Sequence, residues 1–247
     1  PPEVSAAARK PDHLMGRYVI VSKLGAGGMG EVWKAWDREL ARWVALKFLK
    51  QGEADVLPRF RAEARASAGL AHPNIAAIYD VGEVNGRAYI AMQYVKGMSL
   101  AEIERDDRRR LVAWIRDAAL AVHFAHEHGV IHRDLKPGNL MAEGDRVYVM
   151  DFGLARRQNV KGSMTQSGVA VGTPVYMPPE QAAGEKADRR SDVYGLGATL
   201  YDLLTGRPPF DGRSAIEIII AVLEGDFRPP RLINPRIDAD LETIVLK

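Results

Sequence analysis

From Tyr18 to Val95 the chain runs in short blocks of Val, Ile, Tyr and Trp separated by glycine and charge, a pattern that predicts a small β-sheet. Arg59 to Gly69 interrupts it with helix-forming composition, so one helix is expected there. Beyond Ser99 the pattern turns helical. Ser99 and Glu102 have capping-box spacing, and Leu111 to Glu127 repeats apolar residues every three or four positions. The pivot falls after Met92, where strand-like Tyr89 to Val95 gives way to Lys96 and Gly97. The expected class is α+β with two lobes: a small sheet lobe over 17–95 with one key helix, and a larger, mainly helical lobe over 96–247. Residues 1–16 read as a flexible leader with scattered charge and no apolar block of the signal-peptide kind.

Ala215 to Leu223, interrupted by Glu217, is among the longest apolar stretches and is shorter than the roughly 20 residues a membrane-crossing helix needs. Its segment Ile216 to Val222 reads as core in preference to a docking face. Thirty-four basic against 32 acidic residues leave +2, too even a balance to imply nucleic acid. The one basic run, Arg108 to Arg110, follows Asp106 and Asp107 and reads as a solvated helix boundary. With no cysteine, a disulfide framework, a thiolate metal site and a cysteine nucleophile are all excluded, which fits a reducing cytoplasm.

Gly25, Gly27 and Gly30 make GxGxxG, a spacing shared with dinucleotide-binding proteins. Those proteins lead from strand to helix, whereas here Tyr18 to Leu24 and Glu31 to Trp36 both have strand composition. A glycine-rich hairpin that donates bare amides to phosphates fits better. Seventeen residues after Gly30, the string VALK ends in Lys47. Farther on, His132 to Asn139 spell HRDLKPGN, and Asp151 to Gly153 spell DFG. Asp151 offers hard carboxylate oxygens and Asn139 an amide oxygen, ligands suited to magnesium.

HRDLKPGN followed by DFG resembles the catalytic loop and magnesium loop of the protein kinases. The resemblance implies a bilobal kinase fold, ATP bound at the pivot, and Asn139 and Asp151 as metal ligands for Mg2+, with Mn2+ as a substitute. It implies that Asp134 accepts or orients the proton of the attacking hydroxyl and that Lys136 neutralises the transferring phosphate. Lys47 would contact the α and β phosphates and be held by a carboxylate of the following helix. Glu63 in FRAEARA is chosen, because Glu53 and Asp55 precede Pro58 at the helix start. Around the nucleotide the resemblance implies Leu24, Gly25, Ala26, Gly27, Gly28, Met29, Gly30, Val32, Ala45, Lys47, Met92, Gln93, Val95, Leu140 and Asp151. MQYV at Met92 to Val95 resembles the hinge that binds adenine through backbone groups; Gln93 stands where glutamate is common, and Met92 limits the pocket's depth.

Lys136 two residues after Asp134, with GTPVYMPPE at Gly172 to Glu180, resembles the serine/threonine branch, most closely the bacterial receptor-type, Hanks-type kinases. The partners implied are proteins with Ser or Thr acceptors, a second copy of the chain in a homodimer, and the chain itself through autophosphorylation. Thr173 would line the catalytic cleft and Tyr176 would shape the docking loop. PPE replaces the usual APE but keeps Glu180, whose usual basic partner lies late in the fold. The stop at Lys247 within DLETIVLK therefore reads as an incomplete second lobe. Among Ser163, Thr165 and Ser167, the candidates for autophosphorylation are Thr165 and Ser167, whose phosphate Arg133 would receive. Localisation is expected to be cytoplasmic, within a longer, membrane-anchored protein. His123, His126, His128 and His132 invite a zinc reading, which the absence of cysteine and of HExxH spacing disfavours; His132 is expected to pack on Phe152. Asp192 in SDVYGLG is expected to anchor the catalytic-loop backbone from a buried helix. The alternative is a kinase-like pseudoenzyme acting as an ATP-binding switch or scaffold, and a small-molecule kinase is disfavoured because it has no use for a peptide-docking loop.

Overall fold

The computed structural model describes residues 1–27, 30–49, 64–152 and 174–247, which divide into two compact units. The first comprises Pro1–Ala71 and Ile75–Lys96. Its six-stranded antiparallel sheet has the order β1-β2-β3-β4-β6-β5, with β1 Leu14–Met15, β2 Tyr18–Gly27, β3 Gly30–Asp37, β4 Arg42–Leu49, β5 Ile78–Val84 and β6 Arg87–Gln93. Alternation along β4 explains the packing. Val44, Leu46 and Phe48 fall on one side with Tyr18, Ile20, Ala35 and Ala91, forming the core of this unit. Paired residues of antiparallel strands share a face, so Val32 opposite Lys47, and Met92 opposite Ala45, lie together on the other side. Residues 64–68 are helical (α2), as the composition after Arg59 predicts.

The first sixteen residues, read as a leader, are built onto this sheet. Helix α1 (Pro2–Ala7) buries Val4 and Ala7 against Val19, with Val21, Trp36 and Trp43 around them. Glu3 pairs with Lys34 at 3.2 Å, and Leu14 and Met15 pair with Val19 and Tyr18 as an edge strand. Charge scatter hides this docking, because a six-residue helix with two apolar contacts leaves no periodic signature.

The second unit comprises His72–Asn74 and Gly97–Lys247. Two long helices dominate it: α3 (Arg108–Glu127) buries Leu111, Trp114, Ala118 and Val122 on the stripe its periodicity predicts, and α5 (Arg189–Thr205), which follows the short α4 (Pro179–Ala182), buries 11 of its 17 residues. Asp107 caps α3 by accepting the Arg110 N–H at 3.1 Å. A three-stranded sheet is formed by β7 (Met98–Ser99), β8 (Leu140–Glu143) and β9 (Arg146–Val149); the catalytic loop leads into β8 and the DFG loop leaves β9. Ser99 corrects the capping-box expectation. It ends β7 and its hydroxyl donates to the Pro137 carbonyl at 3.2 Å, so 100–102 form a turn and the helix waits until Arg108. Helix α6 (Ala215–Glu224) divides: Ile218 and Val222 pack with Phe210 and Val175, while Ile216 is 60% and Ile220 49% exposed. No helix among the described residues is long and apolar enough to cross a membrane.

Candidate active site

The catalytic loop leaves α3 at Gly129, runs through His132 and Asp134, makes a 3-10 turn over Pro137–Asn139 and enters β8 at Leu140. Buried polar contacts shape it. The Asp192 carboxylate, 1% exposed on α5, accepts the backbone N–H of His132 at 2.8 Å on Oδ2 and that of Arg133 at 2.7 Å on Oδ1. This is the anchoring role expected for Asp192, and it gives a buried carboxylate the donors it needs. Arg133 adopts φ +69°, a left-handed conformation that costs about 1–3 kcal/mol for a residue with a side chain unless its surroundings enforce it. Asp192 on its N–H and Gln181 on its carbonyl, at 3.3 Å, do so.

His132 continues the chain of contacts. It is fully buried, its Nδ1 accepts the Asp134 N–H at 3.2 Å, and its Nε2 bonds the Met150 carbonyl at 2.8 Å. Those partners select the tautomer with the proton on Nε2. Its ring meets Phe152 edge-on at 4.9 Å, the packing expected from the sequence. Of the other histidines in the cluster, His126 Nε2 bonds Asp192 Oδ2 at 2.7 Å and His128 Nδ1 bonds the Phe124 carbonyl at 2.8 Å.

Lys136 and Asn139 meet on the Asp134 carboxylate. Asp134 Oδ2 accepts from Lys136 Nζ at 2.8 Å and from Asn139 Nδ2 at 2.9 Å, and the same amide nitrogen donates to the Asp134 carbonyl at 2.6 Å. Two acceptors on Nδ2 fix the amide's orientation, so Asn139 Oδ1 is left as an oxygen donor. Met150 N–H donates to the Asn139 carbonyl at 2.9 Å, tying the catalytic loop to the start of the DFG loop. Asp151 follows at φ +57°. An amide oxygen and a carboxylate are hard ligands of the kind magnesium takes, and an ion that keeps waters and shares substrate phosphates needs few from the protein. The residues present therefore fit a divalent metal.

In the first unit, Val32, Ala45, Lys47 and Met92 share a sheet face, and Lys47 is 6% exposed. Gly25, Ala26 and Gly27 pair with Val32, Glu31 and Gly30 in a hairpin, and Leu24 is 47% exposed beside a break in register. Gln93 donates its N–H to the Ala77 carbonyl at 2.8 Å, and its side-chain oxygen accepts the Ala77 N–H at 3.4 Å. That use of the Gln93 side chain was not foreseen. Val95 is buried here, and Leu140 is buried in the second unit. Gly28, Met29, Glu63, Gly153, Ser163, Thr165, Ser167 and Thr173 lie outside the described residues.

Three further residues carry the site without a motif to announce them. His126 stands behind Asp192, 66 positions away in sequence. Ser191 donates to the Glu180 carboxylate, and its oxygen accepts the Asp188 N–H at 3.1 Å, so the acid of PPE is seated on a serine within the described residues. Burial, and next the Glu180 charge, push the Tyr194 phenol up to about 12. Asp202 accepts from Tyr176 at 2.6 Å and from Arg105 at 2.9 Å.

A β-sheet unit with a glycine hairpin and a helical unit whose loop sets an aspartate, a lysine and an asparagine together define a phosphoryl-transfer class of protein, and the chain belongs to the protein kinase domain family, which matches residues 18–237. Within that family it is 44% identical over 250 residues to the serine/threonine-protein kinase PknB of Mycolicibacterium smegmatis, covering 96% of this chain and 40% of that protein. It is 40% identical over 251 residues to a probable serine/threonine-protein kinase of Streptomyces coelicolor, covering 96% of this chain and 37% of that protein. The PknI kinase domain of Mycobacterium tuberculosis superposes with a TM-score of 0.69 at 28% identity, over 94% of this chain and 88% of that one. The chain spans about 40% of the length of the PknB relatives it matches.

Proposed function

We propose that the chain is an ATP- and magnesium-dependent protein serine/threonine kinase domain. The observation that carries this reading is the arrangement at Asp134: one carboxylate oxygen takes Lys136 and Asn139, which leaves the other to face an acceptor hydroxyl. Such a transfer requires positioning and charge more than covalent chemistry. The hydroxyl oxygen forms a bond to the γ-phosphorus as the bond to the β-bridging oxygen breaks. ADP leaves with that electron pair, and the hydroxyl proton passes to Asp134. Lys136 places a cation beside this exchange. Asn139 Oδ1 and the Asp151 carboxylate would hold magnesium, which when bound neutralises phosphate charge; manganese has similar ligand chemistry. In the first unit the glycine hairpin, Lys47 and the backbone around Gln93 would hold the nucleotide, with Glu63 supporting Lys47. Serine/threonine acceptors are supported by Lys136, by GTPVYMPPE and by the named activity of the PknB relatives. Autophosphorylation at Thr165 or Ser167 would give Arg133 a phosphate partner.

The test is transfer from labelled Mg-ATP to a generic protein, with phosphopeptide mapping of the chain itself. The parent chain should transfer, Asp151→Asn and Lys47→Met should not, and Asp134→Asn should lower turnover by about 10²–10⁴ with ATP affinity unchanged. ATP binding without transfer by the parent chain would replace the kinase with a scaffold.

A further inference from the structure

Helix α1 docks on one particular face of the first unit's sheet. Val4 and Ala7 pack on Val19, with Trp36 and Trp43 partly buried beside them. Val19 pairs with Trp36, and Trp36 with Trp43. Alternate residues of a strand share a face, and Trp43 precedes Ala45 and Lys47 by two and four residues in β4. Helix α1 therefore sits on the side that carries Val32, Ala45, Lys47 and Met92, at the end away from the glycine hairpin. Lys34 stands between the two regions, two residues from Val32 and opposite Ala45, with its side chain 19% exposed. Its Nζ meets Glu3 Oε1 of α1 at 3.2 Å, and lies 3.9 Å from the centroid of the Trp43 ring and 5.5 Å from that of Tyr94. Trp36 braces Trp43 edge-on at 5.1 Å.

An ammonium shared between a carboxylate and two ring faces is placed by all three, and partial burial strengthens each contact. Tyr94 is where that placement matters. Strand β6 ends at Gln93, which is pinned to Ala77 through its N–H at 2.8 Å and its side-chain oxygen at 3.4 Å, so Tyr94 is the first residue past the strand. Its ring is the handle by which that backbone can be held. Glu3 is 51% exposed, and an exposed ion pair contributes little by itself; the packing of Val4 and Ala7 is what brings Glu3 to Lys34. We propose that Lys34, held by the docked helix α1, is a positioning residue for the nucleotide, seating Tyr94 and so fixing the backbone of 93–95 that would hold adenine. The inference rests on the reading of 92–95 as the adenine-binding segment, and it gives α1 a part in ATP affinity through residues that no motif marks.

ATP titrations and steady-state kinetics of Lys34→Met, Lys34→Arg, Glu3→Gln and Val4→Asp in the whole chain test it. Lys34→Met keeps the apolar stem and loses the cation, so it should raise the ATP Kd and KM about three- to tenfold, the scale of a partly desolvated cation–π contact. Turnover at saturating ATP and the acceptor KM should stay within about twofold of the parent, because Asp134, Lys136 and Asn139 belong to the other unit. Lys34→Arg should recover most of the affinity, since a guanidinium also stacks on rings and pairs with carboxylates. Val4→Asp puts a charge into the α1 contact and should match Lys34→Met, with a smaller loss from Glu3→Gln. Val4→Asp combined with Lys34→Met should be no worse than Lys34→Met alone, as both act through one ammonium. Hydrogen exchange reads the placement without activity: amides of 94–96 should exchange faster in Lys34→Met and Val4→Asp. An unchanged ATP Kd in Lys34→Met, a fall in turnover as large as the rise in KM, or unaltered exchange over 94–96 would overturn the positioning role. A parent chain that bound no ATP would instead overturn the kinase reading, and faster exchange over 94–96 in the two variants would still establish that Lys34 seats that segment.

Discussion

The catalytic loop and the glycine hairpin are both short and are both proposed to act on phosphate, but they are held by different means. His132 and Arg133 hang from side chains far away in sequence, Asp192 accepting their two backbone N–H groups and Gln181 donating to the Arg133 carbonyl, while the His132 ring is held between the Asp134 N–H and the Met150 carbonyl. The hairpin has its strand ladder, from Gly25 opposite Val32 to Gly27 opposite Gly30, and an exposed stitch in which Lys23 meets Glu31 at 2.6 Å. The difference follows from the task. A loop whose side chains are reagents must fix their direction to a fraction of an ångström, which takes buried, desolvated hydrogen bonds. A loop that offers backbone amides to phosphate needs only its path, and a ladder sets a path.

The sharpest way to break that comparison is to remove the anchor. Asp192→Ala leaves two buried backbone N–H groups and His126 without their acceptor, so it should lower stability by about 3–5 kcal/mol. Urea unfolding measures that, and turnover of the folded fraction should fall at least tenfold while the ATP KM holds, because Arg133 and Asp134 lose direction. An unchanged turnover would show the loop holds its shape from local contacts. Next in size is Gly30→Ala. Gly30 sits at φ +137°, and a Cβ there would lie 1.8 Å from the Phe48 carbonyl oxygen. The strands must part to admit it, at a cost of about 2–4 kcal/mol in unfolding experiments on the scale of overpacking and backbone strain combined. The smallest effect should come from the exposed stitch. Lys23, first, and then Arg87 hold the Glu31 carboxyl below its ordinary value. The folded state therefore favours the charged carboxylate, and its contribution is present above the ordinary glutamate range and fades as pH falls through the lowered value. Melting curves of the parent and Glu31→Gln should differ slightly at neutral pH and converge in acid; a gap that widened in acid would reverse the sign.

Local pattern carried the readings that came out right. The blocks from Tyr18 to Val95 announced the sheet, and the stripe from Leu111 announced α3, because both periods are set within a few residues. Ser99 misled for the same reason: its spacing to Glu102 was right for a cap, but the hydroxyl is drawn to Pro137, 38 residues on. Residues 1–16 misled in the opposite direction, since the partners that order α1, Val19 and the tryptophans, are supplied by the sheet. At the site, the motifs located Asp134, Lys136, Asn139 and Asp151, whereas His126, Ser191, Arg105 and Asp202 carry no local mark.

By itself the sequence determined the order of elements, the kinase resemblance and which residues are candidates for the reacting groups, because residue type and short spacing decide what a loop can do chemically. Only the tertiary structure decided how those groups are aimed. The left-handed turn at Arg133, the tautomer of His132 and the tie from Arg105 through Asp202 to Tyr176 each depend on partners that lie dozens of residues away for most of these contacts. A buried carboxylate or imidazole takes its direction from whatever surrounds it, and those surroundings exist only once the chain has packed.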